Sequence, residues 1–228
     1  MKIFIIHGWT YNLDKWTDFA TLLKRAGFEP VMLKVPGLTE PSKKVWDIKS
    51  YVAWLDDKLK NEIKPTIIAQ SNGGRIALSY VQANPGKIKQ LFLIDSAGVT
   101  DKRLTRKIKL KTLYVLSKLG KPLSKIGLIR KVFYKIIGAQ DYNQAPPNMR
   151  LTMQNMLKDS QKIELGSINL PVTLIWGSND RNTPLKDGQK MHRLIKDSKL
   201  FIIEEAKHAP QSTHPDEVVE IIKRELKS

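Results

Sequence analysis

Hydrophobic and polar positions along the chain alternate between two rhythms. Short apolar runs rich in β-branched residues recur at Lys2–Ile6, Phe28–Val35, Thr66–Ala69, Gln90–Ile94, Pro171–Trp176 and Leu200–Ile203, the length and texture of strands buried on both faces. Between them the apolar positions recur three to four apart. Leu13, Trp16, Phe19, Leu22, Leu23 and Ala26 predict a helix closed by Gly27, and Ile48, Val52, Leu55 and Leu59 predict another within 45–60. Ile76, Ala77, Tyr80 and Val81 predict a third, stopped by Asn84-Pro85-Gly86; two more are expected over 184–195 and 215–226. Strands linked by crossover helices pair in parallel. The pattern therefore predicts an α/β fold, a six-stranded parallel sheet with helices on both faces.

The alternation breaks after Gly98. From Asp101 to about Leu165 the chain shows basic, amphipathic helical runs with no convincing strand, cut by Gly120, Pro122, Gly138 and Pro146-Pro147. Leu110, Leu113, Leu116 and Leu119, then Ile126, Ile129 and Phe133, keep helical spacing with Lys and Arg between them. This predicts a helical insertion over 99–165 in a core built from 1–98 and 166–228.

Charge sharpens that picture. The 228 residues carry a net charge of +17, of which residues 101–138 supply twelve Lys or Arg against Asp101 alone. Such a segment suits an anionic membrane surface, an acidic carrier or nucleic acid. No helix-turn-helix, zinc-finger or RNP-like signature accompanies it, so nucleic acid has charge alone behind it. A cap helix with a solvated basic face is the plainer account. The absence of cysteine excludes disulfides, thiolate nucleophiles and Cys-ligated metals. No His, Asp or Glu spacing suggests zinc, and no cofactor is expected. The apolar run after Lys2 is too short for a signal-peptide core or a membrane span, which leads to the expectation of a cytoplasmic protein.

The candidate chemistry gathers at strand ends. Thr66–Ala69 stops at Gln70-Ser71-Asn72-Gly73-Gly74 and a helix follows at once, a strand, tight turn and helix that would hold the Ser71 hydroxyl at the carboxyl end of the sheet. The small residues two places either side are Ala69 and Gly73, where G-x-S-x-G has glycine at both. A serine needs a base. Of four histidines, His192 lies mid-helix, His214 precedes Pro215 at a helix start and His7 ends the first strand; His208, in a loop after the last strand, is placed to serve. Asp180 and Asp95 both end strands and either could orient it. His7, Ser71, Asp95, Asp180 and His208 all fall at the edge where parallel sheets bind ligands.

Together these segments resemble the α/β-hydrolase superfamily. His7-Gly8-Trp9 is similar to the family's H-G-x segment, Val35-Pro36-Gly37 to its P-G loop, the Ser71 turn to its nucleophile elbow, Leu170–Asp180 to its acid-bearing strand, and Lys207-His208 to its histidine loop. The likeness covers all but the insertion, which corresponds to the family's variable lid. It departs at Ala69, and with the chain beginning directly at the H-G-x strand a trimmed version of the family's sheet is expected. The resemblance implies a serine hydrolase of the carboxylesterase type acting on an ester or thioester, with a catalytic triad of Ser71, Asp180 and His208. It implies an oxyanion hole formed by the backbone amides of Trp9 and Asn72, His7 as a shaper of that loop, and no metal. C–C bond hydrolysis and acyl transfer use the same triad, and a non-catalytic protein binding an anionic partner through its basic cap is the alternative of another class.

Overall fold

The computed structural model of the chain describes residues 1–99, 145–159 and 162–227. Among the described residues there are six strands: β1 (Lys2–Ile6), β2 (Glu29–Leu33), β3 (Thr66–Gln70), β4 (Gln90–Ile94), β5 (Val172–Gly177) and β6 (Lys199–Ile203). They form one parallel sheet in the order β2-β1-β3-β4-β5-β6. The helices are α1 (Thr17–Arg25), α2 (Ile48–Leu59), α3 (Asn72–Ala83), α4 (Pro147–Asp159), α5 (Leu185–Leu194), α6 (Pro210–Thr213) and α7 (Pro215–Lys227).

Period-2 alternation divides the core. Phe4, Ile6, Ile67, Ala69, Leu91, Leu93, Leu174 and Trp176 point to one face, where Tyr51 and Leu55 of α2, Ile76 and Tyr80 of α3, Met149 and Met156 of α4 and Met191 of α5 cover them. Ile3, Ile5, Ile68, Phe92, Ile94 and Ile175 point to the other, under Phe19 and Leu23 of α1 and Val218 and Ile222 of α7. Both faces of β3 and β4 are buried, which is why those strands read as unbroken apolar runs.

Element ends differ from the expectation for local reasons. The 28–35 strand shortens to Glu29–Leu33 because the Val35 carbonyl curls the chain by accepting the amides of Leu38, Thr39 and Glu40 at 3.0–3.1 Å. The helix expected from residue 45 starts at Ile48, since the Asp47 carboxylate caps it by accepting the Ser50 amide at 2.7 Å. Trp46 is left outside, stacked 4.9 Å from Tyr51. The apolar pattern gives no sign of α6, a single turn started by Pro210 at its first position.

Within the stretch expected to be an insertion, α4 buries Met149, Thr152 and Met156 and is bolted to the 42–46 loop. The Trp46 amide donates to Thr152 Oγ1 at 2.9 Å, Asn155 Nδ2 to the Trp46 carbonyl at 3.1 Å and Asn148 Nδ2 to the Ser42 carbonyl at 3.0 Å. The basic stretch 101–138 and its Leu and Ile stripe lie outside the described residues. No helix among the described residues is long and apolar enough to cross a membrane.

Candidate active site

The chain order reverses direction across the sheet between β1 and β3, since β2 lies beyond one and β4 beyond the other. Ligands of open parallel sheets bind at the carboxyl ends beside such a switch point. Trp9 follows β1 and Ser71 follows β3, so both flank it.

Ser71 adopts φ 51°, ψ −118°, a backbone state that an L-residue holds only when its surroundings enforce it. Three hydrogen bonds do so. Its amide donates to the Ile94 carbonyl at 3.0 Å, and its carbonyl accepts the amides of Gly74 and Ala97 at 3.0 and 2.9 Å. Gly73 sits so close to β1 that a Cβ there would lie 2.7 Å from the His7 carbonyl oxygen and closer still to that of Ile6. Ala69, by contrast, is an ordinary strand residue opposite Ile6, its methyl fully buried in the core.

His208 Nε2 lies 3.0 Å from Ser71 Oγ, and His208 Nδ1 lies 2.8 Å from Asp180 Oδ2. With Nδ1–H donating to the carboxylate, Nε2 is left as the acceptor that faces the serine hydroxyl. Asp180 is itself held: its Oδ1 accepts the Asn182 and Thr183 amides at 2.7 and 3.1 Å, and the Thr183 hydroxyl donates to Oδ2 at 2.6 Å. Burial works against its charge, but the hydrogen bond and charge of His208, with Thr183 and Asn182, hold its carboxyl below the usual range.

Asp95, the rival acid, is fully buried and sits beside this chain without joining it directly. Its Oδ2 is 3.8 Å from His208 Nδ1 and accepts the Ala209 amide at 2.8 Å, while Oδ1 accepts the Gly177 amide at 2.9 Å. Burial first, then the charge of Asp180, push its carboxyl up to about 7. Asp95, Asp180 and His208 offer ligand atoms within 4.8 Å of one another, but hydrogen bonds to backbone amides, Thr183 and Ser71 already engage those groups.

The remaining polar positions frame a cavity of about 400 Å³ lined by Trp9, Gln70, Ser71, Asn72 and His208, with Met153 and Leu157 contributed by α4. Asn72 is the first residue of α3, so its amide has no acceptor within the helix. Buried His7 donates Nδ1–H to the Gly8 carbonyl at 2.7 Å and accepts from the Thr39 hydroxyl at 2.7 Å. Burial lowers its pKa, the Gly8 carbonyl acting in the opposite sense. His192 contacts Ser198 at 3.1 Å and His214 closes α6; neither lines the cavity.

Sequence reasoning overlooks Gln70. Its Oε1 accepts the Gly8 amide at 3.1 Å and its Nε2 lies 3.3 Å from His208 Nε2, so it ties the loop after β1 to the histidine. A buried amide side chain between the strand and Ser71 is the available signal. Thr183 escapes it too, though a Thr three residues after Asp180 is a common turn partner.

A sequence profile of the alpha/beta hydrolase fold family matches residues 3–121. The chain belongs to that family. A pimeloyl-[acyl-carrier protein] methyl ester esterase of Neisseria meningitidis is 26% identical over 238 residues, spanning 94% of this chain and 88% of the relative. Among solved structures, an alpha/beta hydrolase enzyme from the metagenome of Mar Chica lagoon sediments superposes with a TM-score of 0.72 at 18% identity, over 100% of this chain and 90% of its own. A serine hydrolase involved in carbazole degradation gives 0.72 at 19% identity, over 100% and 91%. These two likenesses concern the fold.

Proposed function

We propose that the protein is a serine esterase that cleaves a carboxylic ester or thioester through an acyl-enzyme on Ser71. The observation that carries this reading is the continuous hydrogen-bonded chain from Ser71 Oγ through His208 to Asp180, at 3.0 and 2.8 Å. His208 Nε2 takes the hydroxyl proton as Ser71 attacks the acyl carbon, and Asp180 steadies the imidazolium that forms. The amides of Trp9 and Asn72 receive the oxyanion, a contribution of about 3 kcal/mol per donor in sites of this kind. Collapse expels the alcohol or thiol, which leaves with the proton from His208. Water then attacks the acyl-enzyme, His208 again serving as base, and the acid departs.

Residues 99–165 form the lid in this reading, and α4, which brings Met153 and Leu157 to the cavity wall, is its fixed root. The substrate class has two supports. The Neisseria relative is an esterase of an acyl-carrier protein methyl ester, and residues 101–138 of this chain hold twelve cations against Asp101. We infer an acyl ester presented by an acidic carrier that meets the basic lid.

The deciding experiment is turnover of short- and medium-chain p-nitrophenyl esters by the wild type and by Ser71→Ala, with fluorophosphonate labelling located by mass spectrometry. Turnover and label on Ser71, both lost in Ser71→Ala, are expected. A folded wild type that neither turns over the esters nor takes the label would overturn the reading.

A further inference from the structure

The cavity around Ser71 has a chemical bias that ester hydrolysis alone does not require. Among the described residues that line it are two cations, Arg75 and Lys15, and no carboxylate. Lys15 is exposed at the rim, whereas Arg75 is half-buried with its Nε wholly enclosed. It lies on α3 one turn beyond Ser71, about 5 to 6 Å along the helix. Its one hydrogen bond to a described residue runs from Nη1 to Asn72 Oδ1 at 2.6 Å.

Its Nε is shut off from solvent and has no acceptor among the described residues. Burial alone pushes the guanidinium down to about 10, with no acidic group opposing the shift, so it stays charged at neutral pH. A charge held partly away from water without a counter-charge is costly, and proteins pair such groups or use them. The sequence offers little to pair it with: residues 100–144 contain only Asp101 and Asp141 as acids, amid twelve Lys and Arg.

A second donor repeats the pattern. Trp9, another residue lining the same cavity and across the sheet switch from Arg75, has its Nε1 buried without an acceptor among the described residues. Indole N–H and guanidinium N–H are donors only. A neutral alkyl ester has weak acceptors at its reacting end and none further along its chain. A carboxylate or phosphate brings oxygens that suit a guanidinium fork.

We propose that Arg75, assisted by Trp9 Nε1, forms an anion subsite of the Ser71 cavity, and that the preferred ester carries a carboxylate or phosphate within a few bonds of the scissile carbonyl. This rests on the esterase reading and narrows its substrate class. A carboxylate would come from the acyl side, as in the half ester of a dicarboxylic acid. A phosphate would come from the alcohol side.

The test compares kcat/KM for matched pairs in wild type, Arg75→Lys and Arg75→Met. The acyl arm pairs methyl hexanoate with monomethyl adipate; the alcohol arm pairs the hexanoate ester of ethylene glycol with its phosphate monoester. The wild type is expected to favour the anionic member of one arm, and that arm names the source. Arg75→Met should cut the anionic-to-neutral ratio by roughly 10- to 100-fold, with Arg75→Lys between. Adipate or inorganic phosphate should also inhibit neutral-ester turnover competitively in the wild type, a readout that needs no variant to fold. Equal use of both members in both arms, a ratio unmoved in Arg75→Met, or no inhibition by either anion would overturn the subsite. Neutral-ester turnover lost in Ser71→Ala would leave the esterase reading standing in each of those cases.

Discussion

Asp95 approaches the same ring nitrogen of His208 that Asp180 holds, but stops at 3.8 Å, with its oxygens taken by the Gly177 and Ala209 amides. Asp180 closes to 2.8 Å. The two acids are therefore unequal partners of one imidazole, and substitution should separate them. Asp180→Asn, which leaves the ring in the wrong tautomer, is expected to lower kcat about 10⁴-fold on short esters. Asp95→Asn should cost roughly tenfold, through a shifted Ala209 and His208. A larger loss in Asp95→Asn than in Asp180→Asn would transfer the acid role.

Stability should carry the signature of Asp95. Its folded pKa of about 7 lies above the ordinary 3.8, so between those values the native state keeps a proton that the unfolded chain has released. The group's stabilisation is then full below the lower value and is lost as pH rises through the upper one. Urea midpoints of wild type and Asp95→Asn at pH 4.5 and 8 measure this. The wild type should gain relative to the variant at the lower pH; a gap that does not change with pH would count against a raised pKa.

Gln70 links the loop after β1 to His208, its Oε1 accepting the Gly8 amide at 3.1 Å and its Nε2 lying 3.3 Å from His208 Nε2. Gln70→Leu leaves a buried backbone N–H without its acceptor, an expected cost of about 1 to 3 kcal/mol. If the Trp9 amide is an oxyanion donor as proposed, kcat should fall about tenfold or more while KM moves little. An unchanged kcat with lowered stability would confine Gln70 to a structural part.

Gly73 is the position where a single carbon is decisive. Ala there would press Cβ against the carbonyl oxygens of Ile6 and His7, which are backbone and cannot rotate away. Gly73→Ala is expected to destabilise by about 3 kcal/mol or more and to displace Ser71. Urea unfolding checks the first effect and fluorophosphonate labelling rate the second. Ala at 69, by comparison, is already tolerated because strand β3 passes Ile6 at ordinary spacing.

Sequence periodicity is enough to place all six strands, since runs such as Thr-Ile-Ile-Ala and Gln-Leu-Phe-Leu-Ile are buried on both faces and carry no competing helical spacing. It fails at ends governed by side-chain capping or by carbonyl geometry, as at Asp47 and Val35, because one local hydrogen bond there outweighs the apolar pattern. Among candidate residues, Ser71 stands out because it lies where an apolar run ends at the carboxyl edge of the sheet, and His208 because it lies in the loop that follows the last strand. Gln70 does not, since nothing in a linear reading distinguishes a glutamine that bridges Gly8 and His208 from one that ends a strand.

The alternation of strand and helix is written in the linear chain, and with it a parallel sheet whose carboxyl edge collects Ser71, Asp95, Asp180 and His208. Side-chain period and crossover connection are local or nearest-neighbour properties, which one-dimensional patterns encode. Three-dimensional packing alone selects which acid meets His208 Nδ1, holds Asp95 near it through Gly177 and Ala209, and gives Arg75 and Trp9 one cavity whose described lining has no carboxylate. Those relations depend on ångström-scale separations between residues as far apart in the chain as Asp95 and Ala209, fixed by the sheet's stacking and by no pattern along the chain.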